Sequence, residues 1–280
     1  MKFKQLLVAG ALMASHAQAN ERLVSYDLGS VDTLRALQAT DQVVGLPKQS
    51  LPAYLSEFSN ERYTDVGGLK TPDAEAVAKL DPSLILITGR QGDSGQALAS
   101  IAQTQTVGLQ EGAYWPALEK HVMNLATHVE KQEQGQQALQ ALAKELAAMK
   151  QQLAGQAVLS VTHNAGGFSV RQDPIASELL GLTQVALSES VKPIQRGTRT
   201  FLPLSVEDIA SVNPKVLYVV DRSQAIGETD QALNVEALQV KLSEMGAQTK
   251  VAYLTPGLWY LSGNGLESVK LQAQELAQAL

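Results

Sequence analysis

The chain of 280 residues contains no cysteine. That one absence excludes disulfides, thiolate metal sites, a thiol nucleophile and an N-terminal lipid-modified cysteine. Histidine is scarce too: His16, His121, His128 and His163 show no H-x-x-x-H or H-E-x-x-H spacing, and His121 and His128 fall in a helical tract where packing or surface roles suit them. The patterns G-x-S-x-G, G-x-x-x-x-G-K-[ST] and G-x-G-x-x-G are missing, and no motif pairs Ser94 with His163 as nucleophile and base. Positive charge is in deficit, 22 Lys and Arg against 28 Asp and Glu, for a net charge of -6, which argues against nucleic acid as a partner. Aromatic residues make up only 5%, so the places where they gather carry information.

What is present is a globular balance, 45% hydrophobic and 18% charged, with length for one large domain or two ordinary ones. Lys2 and Lys4 precede an apolar run over 6–14, and Ala17 and Ala19 form the small-x-small pattern of a signal peptidase site. Residues 1–19 therefore read as a signal peptide cleaved after Ala19, because the run is about half the roughly 20 residues a spanning helix needs.

After the leader the pattern alternates. Strands are predicted over 23–28, 43–46, 84–88 and 105–109, and helices over 31–38 and from the Thr71-Pro72-Asp73 start to Leu80. Such alternation marks an α/β layer with parallel strands. The second half repeats the phrase: AEAVAKLDPSLILITGR (74–90) lies over EDIASVNPKVLYVVDR (207–222) at an offset of 132, placing Asp81-Pro82 on Asn213-Pro214 and Arg90 on Arg222. A further strand in each half (105–109 and 250–254) leads to an aromatic pair, Tyr114-Trp115 and Trp259-Tyr260. Between the halves runs a helix-forming tract, 116–153, with Gly135 as its expected break, a first helix to Lys131 and a second over 136–153 about 27 Å long. The expected organisation is a lobe over 20–131, a linking helix over 132–154 and a lobe over 155–280, with a cleft between two Rossmann-like lobes.

Of eight arginines, five fall at strand ends or in loops of the second half: Arg90, Arg171, Arg196, Arg199 and Arg222. Ligands of open α/β sheets bind outside the carboxyl ends of the strands. Guanidinium groups gathered there by an acidic protein suit a compact anion, whereas the same residues in surface ion pairs contribute little. Trp115, Trp259 and Tyr260 are either caps on the core or ligand-facing aromatics, and a tyrosine oxygen can also reach a hard metal such as ferric iron.

At these residues the chain resembles the bacterial periplasmic siderophore-binding proteins with a rigid inter-lobe helix, in particular their ferric catecholate group. The similar segments are SYDLGSVDTLRAL (25–37), VVGLPKQSLPAYL (43–55), YTDVGGLKTPDAEAV (63–77), ITGRQ (87–91), NPKVLYVVDRSQAIG (213–227) and LWYLSGNGLES (258–268). The resemblance implies the class III binding-protein fold, a periplasmic location, and capture of a ferric catecholate siderophore for an inner-membrane ABC permease dimer. It implies no intrinsic cofactor and no enzymatic activity, and the protein is expected to be a monomer. By position, Arg90 and Arg222 become a clamp from the two lobes, Arg171 a third cation, and Tyr260 a neighbour of the iron able to complete its coordination.

Some relatives pair that tyrosine with a histidine from the preceding loop; here the loop 188–204 has none and carries Arg196 and Arg199, which favours a more anionic and more fully coordinated ligand such as a tris-catecholate. Glu75 and Glu207, related by the same offset of 132, are either solvated helix residues or the acidic pair that docks on the permease. Two other readings stay open. One is a binding protein for haem, cobalamin or a hydroxamate siderophore; the other is a periplasmic enzyme on the same scaffold. The linking helix predicts lobe closure of only a few degrees.

Overall fold

Short apolar runs closed by turn formers become buried parallel strands. The computed structural model, which describes residues 21–109, 112–197 and 199–280, holds two sheets built largely in this way; the signal peptide expected over 1–19 lies outside the described residues. The first half comprises β1 (Leu23–Ser25), α1 (Leu28–Ala36), β2 (Val43–Leu46), β3 (Thr64–Asp65), α2 (Ala74–Lys79), β4 (Leu84–Ile87), α3 (Ser94–Ala99) and β5 (Gln103–Thr106). All strands pair in parallel in the order β3-β2-β1-β4-β5. Strand order reverses between β1 and β4, the place where such sheets open a crevice.

Two helices follow, α4 (Tyr114–His128) and α5 (Gln132–Leu153). The second half contains β6 (Ala157–Asn164), β7 (Gly167–Val170), β8 (Thr183–Gln184), β9 (Ile194–Arg196), β10 (Arg199–Phe201), β11 (Pro203–Leu204), α6 (Val206–Val212), β12 (Val216–Asp221), α7 (Arg222–Ala225), α8 (Val235–Glu244), β13 (Lys250–Leu254), α9 (Pro256–Tyr260) and α10 (Leu266–Ala279). Strands β6, β12 and β13 are parallel, β7 and β11 extend the sheet antiparallel, and β9 and β10 form a separate hairpin. The α/β architecture is the one expected, two α/β halves with a long helix between them.

The repeated phrase is real in the backbone. Helix α2 and strand β4 correspond to α6 and β12, and the residues between them, Asp81 and Asn213, both adopt the left-handed region at φ 44° and 43°.

Three boundaries differ from the sequence reading. β1 stops at Ser25 because Asp27 accepts from Ser30 N and caps α1, which therefore begins at Leu28 instead of 31. β5 lies two residues early, at Gln103–Thr106. The helical tract breaks at Glu130, which is left-handed at φ 55°, whereas Gly135 sits inside α5. A Cβ on Gly135 would stand 3.0 Å from the Ala126 Cβ, so this glycine serves the close approach of α4 and α5.

Helix α5 spans 22 residues, roughly 33 Å. It is not a free rod: Leu139, Leu142 and Leu146 share one buried core with Leu118 and Val122 of α4, Tyr218 of β12 and Val269 and Ala273 of α10. A second joint ties the first helix to the last. The buried Asp32 carboxylate on α1 accepts from Glu267 N at 3.1 Å and Ser268 N at 3.0 Å at the start of α10, and from the Tyr54 hydroxyl at 3.2 Å. A Cβ on Gly29 would fall 1.9 Å from the Gly263 carbonyl oxygen, so only glycine allows this contact. Arg35 adds an ion pair to Glu267. Burial pushes the Asp32 carboxyl up to about 7 despite these hydrogen bonds.

Candidate binding site

The site is assembled from strand ends. β4 leads into Thr88, Gly89 and Arg90, and the buried Gln91 pins that turn: its Oε1 accepts from Thr88 N and its Nε2 donates to the Leu69 carbonyl. β12 ends at Asp221, whose side chain caps α7 and so fixes Arg222 as the first helical residue. Asp221 is held by His163 Nδ1 at 3.0 Å, Leu233 N at 2.7 Å and the Tyr253 hydroxyl at 3.0 Å. Burial pushes the Asp221 carboxyl up, but these donors outweigh it and hold it below the usual carboxylate range. β7 delivers Arg171, whose N donates to the Ser160 carbonyl at 2.9 Å.

All three guanidinium groups converge on one dipeptide at the end of α9. Arg90 donates through Nη2 to the Tyr260 carbonyl and stands 5.5 Å from the Tyr260 ring centroid. Arg222 donates through Nε to the Tyr260 hydroxyl at 2.9 Å, stands 5.7 Å from the same ring, and donates through Nη1 to Asn164 Oδ1. Arg171 donates through Nη2 to the Trp259 carbonyl at 3.5 Å and lies 5.8 Å over the Trp259 ring. Aromatic faces and carbonyl oxygens partly offset the mutual repulsion of three cations. What remains is a cluster of fixed donors suited to an anion.

The other predicted residues are placed differently. The Trp259 ring is 3% exposed and its Nε1 donates to Glu275 at 2.6 Å, so instead of offering a free face to a ligand it forms the platform under Arg171. Trp115 is half-buried against the core shared by α4, α5 and α10 and has no part in the arginine cluster. Arg196 and Arg199 are exposed and directly opposite each other across the β9–β10 hairpin. One residue beyond its last strand, the Leu202 carbonyl accepts from Val170 N, next to Arg171. Tyr260 is half-buried at the centre of the cluster.

Glu75 and Glu207 are exposed at matching first-turn positions of α2 and α6. Glu207 pairs with Lys241 at 3.4 Å, and its own backbone N–H together with that lysine holds its carboxyl below the usual range.

Residues the sequence reading passed over also belong here: Gln91, Asn164, Asp173 and Glu228 each touch or pin a member of the cluster. The ITGRQ segment contained Gln91; the others are single polar residues with no pattern around them. His163 is buried and uses both nitrogens internally, Nδ1 with Asp221 and Nε2 accepting from Gly166 N. A cavity of about 590 Å³ beside it is lined by His163, Phe168, Asp230 and Lys241 among others and holds no arginine. Among the described residues no group of three His, Asp or Glu side chains is disposed to hold a metal, and no helix is long and apolar enough to cross a membrane.

Known proteins share this organisation. The family model described as periplasmic binding protein matches residues 23–255. The petrobactin-binding protein YclQ of Bacillus subtilis is 33% identical over 267 residues, 93% of this chain and 82% of the relative. Its crystal structure superposes with a TM-score of 0.76, covering 92% of this chain and 91% of that one. The ferric-anguibactin-binding protein FatB of Vibrio anguillarum is 24% identical over 91% of this chain and 81% of its own. The iron-uptake substrate-binding protein PiuA of Streptococcus pneumoniae is 27% identical with a TM-score of 0.79, covering 93% of both chains.

Proposed function

The chain belongs to the periplasmic binding protein family, and from that premise we propose that it captures an anionic ferric catecholate siderophore between its lobes and delivers it to an inner-membrane ABC permease dimer. The observation that carries this reading is the convergence of Arg90, Arg171 and Arg222 on Trp259–Tyr260. The petrobactin and ferric-anguibactin ligands named for two relatives support the ligand class.

In this reading Arg90 and Arg222 clamp the ligand from opposite lobes and Arg171 supplies the third cation. Arg196 and Arg199 form an outer cationic pair, and Trp259 backs Arg171, while Trp115 stays with the core. The Tyr260 hydroxyl lies beside the iron and completes its coordination when the siderophore brings fewer than six donors; iron is cargo, not a resident cofactor. The lobes, divided at 131/132 and 154/155, close little because α5 and the α1–α10 joint both bridge them. Glu75 and Glu207, one per lobe, dock on the permease; the protein acts as a monomer, exported after cleavage behind Ala19.

Intrinsic fluorescence tests the ligand class, since Trp259 lies beneath Arg171 and Trp115 in the adjoining core. Ferric tris- and bis-catecholates should quench it tightly and saturably, with no response to a hydroxamate complex, cobalamin or haem. Quenching by haem or hydroxamate alone would refute the catecholate assignment. Charge reversal at both Glu75 and Glu207 should abolish uptake with affinity unchanged; a loss of affinity instead would refute docking.

A further inference from the structure

The three arginines of the site are not equally compensated. Arg171 Nε lies 3.9 Å from Asp173 Oδ2, and Arg222 Nη1 lies 3.9 Å from Glu228 Oε2. Among the described residues no carboxylate lies within 4.0 Å of Arg90. The two carboxylates stand at equal distance but in unlike surroundings: the Asp173 side chain is 3% exposed and the Glu228 side chain 44%. A buried charge acts through protein, whereas an exposed one is screened by water and salt.

Asp173 is also held in an unusual way. Its Oδ1 accepts from Ile175 N at 3.1 Å and Ala176 N at 3.3 Å, which fixes the carboxylate. Its Oδ2 has no hydrogen-bond partner, and neither does the buried Nε of Arg171 opposite. A bidentate ion pair would use up the arginine fork. At 3.9 Å the carboxylate leaves the fork to the Trp259 carbonyl and to a ligand, while it still subtracts from the field of the arginine.

We infer that Asp173 is a specificity-determining residue, an internal counter-charge that sets how much negative charge the site accepts in a ligand. This rests on the siderophore reading above. Burial raises the Asp173 carboxyl, and Arg171 with the Ala176 and Ile175 amides works against that rise; in its carboxylate form Asp173, together with Glu228, offsets Arg171 and Arg222, and the net positive charge of the three-arginine cluster resides on Arg90. The site with Asp173 therefore favours ferric complexes of lower charge, such as bis-catecholates, relative to the same site without it.

The test is the ratio of affinities for a ferric tris-catecholate and a ferric bis-catecholate, read by fluorescence quenching of the purified protein at physiological salt. Asp173→Asn keeps an Oδ1 acceptor for the Ile175 and Ala176 amides but removes the charge; Asp173→Ser keeps a capping hydroxyl and also removes it. Both should raise the tris-to-bis ratio about three- to tenfold, by a charge acting through a low-dielectric path. Glu228→Gln should change it less than about twofold because its charge is screened. An unchanged ratio in whichever Asp173 variant folds, or an equal change in Glu228→Gln, overturns the inference while leaving the siderophore reading intact. Quenching of the wild-type protein by neither complex overturns the siderophore reading and this inference with it.

Discussion

Arg90 and Arg222 occupy the same place in two copies of one phrase, yet they are prepared differently. Each follows a helix, a left-handed Asp or Asn, a proline and a buried strand. Arg222 is half-buried and bonded to the Tyr260 hydroxyl and Asn164, both within its own lobe. Arg90 is exposed, and its side chain bonds across the cleft to the Tyr260 carbonyl. Duplicated topology thus puts a guanidinium at each strand end, but the surrounding residues decide how firmly it is held: Arg222 by two side chains and partial burial, Arg90 by one carbonyl and a ring face while exposed. Preorganised donors lose less entropy on binding.

Replacing each arginine should expose that difference. Arg222→Ala removes a prepositioned charge-assisted donor and unties Tyr260, and should weaken ferric catecholate binding about a hundredfold. Arg90→Ala should cost nearer tenfold, because ordering an exposed side chain offsets part of its gain. Titrations at low and high salt sharpen the contrast: the Arg90 contribution should shrink as salt rises while that of Arg222 persists. Equal losses with equal salt dependence would abolish the distinction.

The strand-end positions of Arg90 and Arg222 were legible because a repeat unit that ends in Arg fixes that position through topology. The α/β class was legible for a related reason, since uninterrupted apolar runs such as Val216 to Val220 specify strands buried on both faces. The orientation of Trp259 was not legible. Its neighbour in sequence, Tyr260, faces the cluster while Trp259 turns into the core toward Glu275, sixteen residues away. Helix boundaries failed where a side chain competed with the backbone pattern, at Asp27, or where a glycine served packing instead of a break, at Gly135. Asp173 was invisible because its effect depends on burial and on a 3.9 Å approach that no spacing encodes.

The contrast between the arginines also depends on the lobes keeping their separation, and the Asp32 joint maintains it. Asp32→Ala leaves the Glu267 and Ser268 amides without their acceptor, and should weaken the Arg90 contribution to binding while sparing that of Arg222, whose hydrogen bonds stay within one lobe. Double substitutions with Arg90→Ala and Arg222→Ala measure this coupling. The joint should respond to pH as well. With its folded pKa raised to about 7 by burial, Asp32 binds its proton more tightly in the folded than in the unfolded chain. Its contribution to stability is therefore present at acid pH and lost as pH rises through about 7. The difference in thermal stability between Asp32→Asn and wild type should shift in favour of the variant between about pH 4 and about pH 7, the interval between the unfolded and folded pKa, and level off above it; a pH-independent difference would contradict the buried-carboxylate account.

The smallest effect separates the two phrases at their shared left-handed residue. Asp81 and Asn213 have nearly the same backbone angles, φ 44° and 43°. Their side chains do not have the same work: Asn213 Oδ1 accepts from Gln248 N at 2.8 Å and the Thr249 hydroxyl at 3.3 Å, whereas among the described residues the Asp81 carboxylate makes no hydrogen bond or ion pair. Glycine relieves the left-handed strain at either position. Asp81→Gly should therefore be neutral or stabilising by up to about 1 kcal/mol, because nothing is lost to set against that relief. Asn213→Gly should destabilise by about 1 kcal/mol, since the buried Thr249 hydroxyl and the exposed Gln248 amide both lose their acceptor. Chemical denaturation of the two variants resolves the sign, and a matching sign would mean that the two turns are equivalent in energy as well as in backbone.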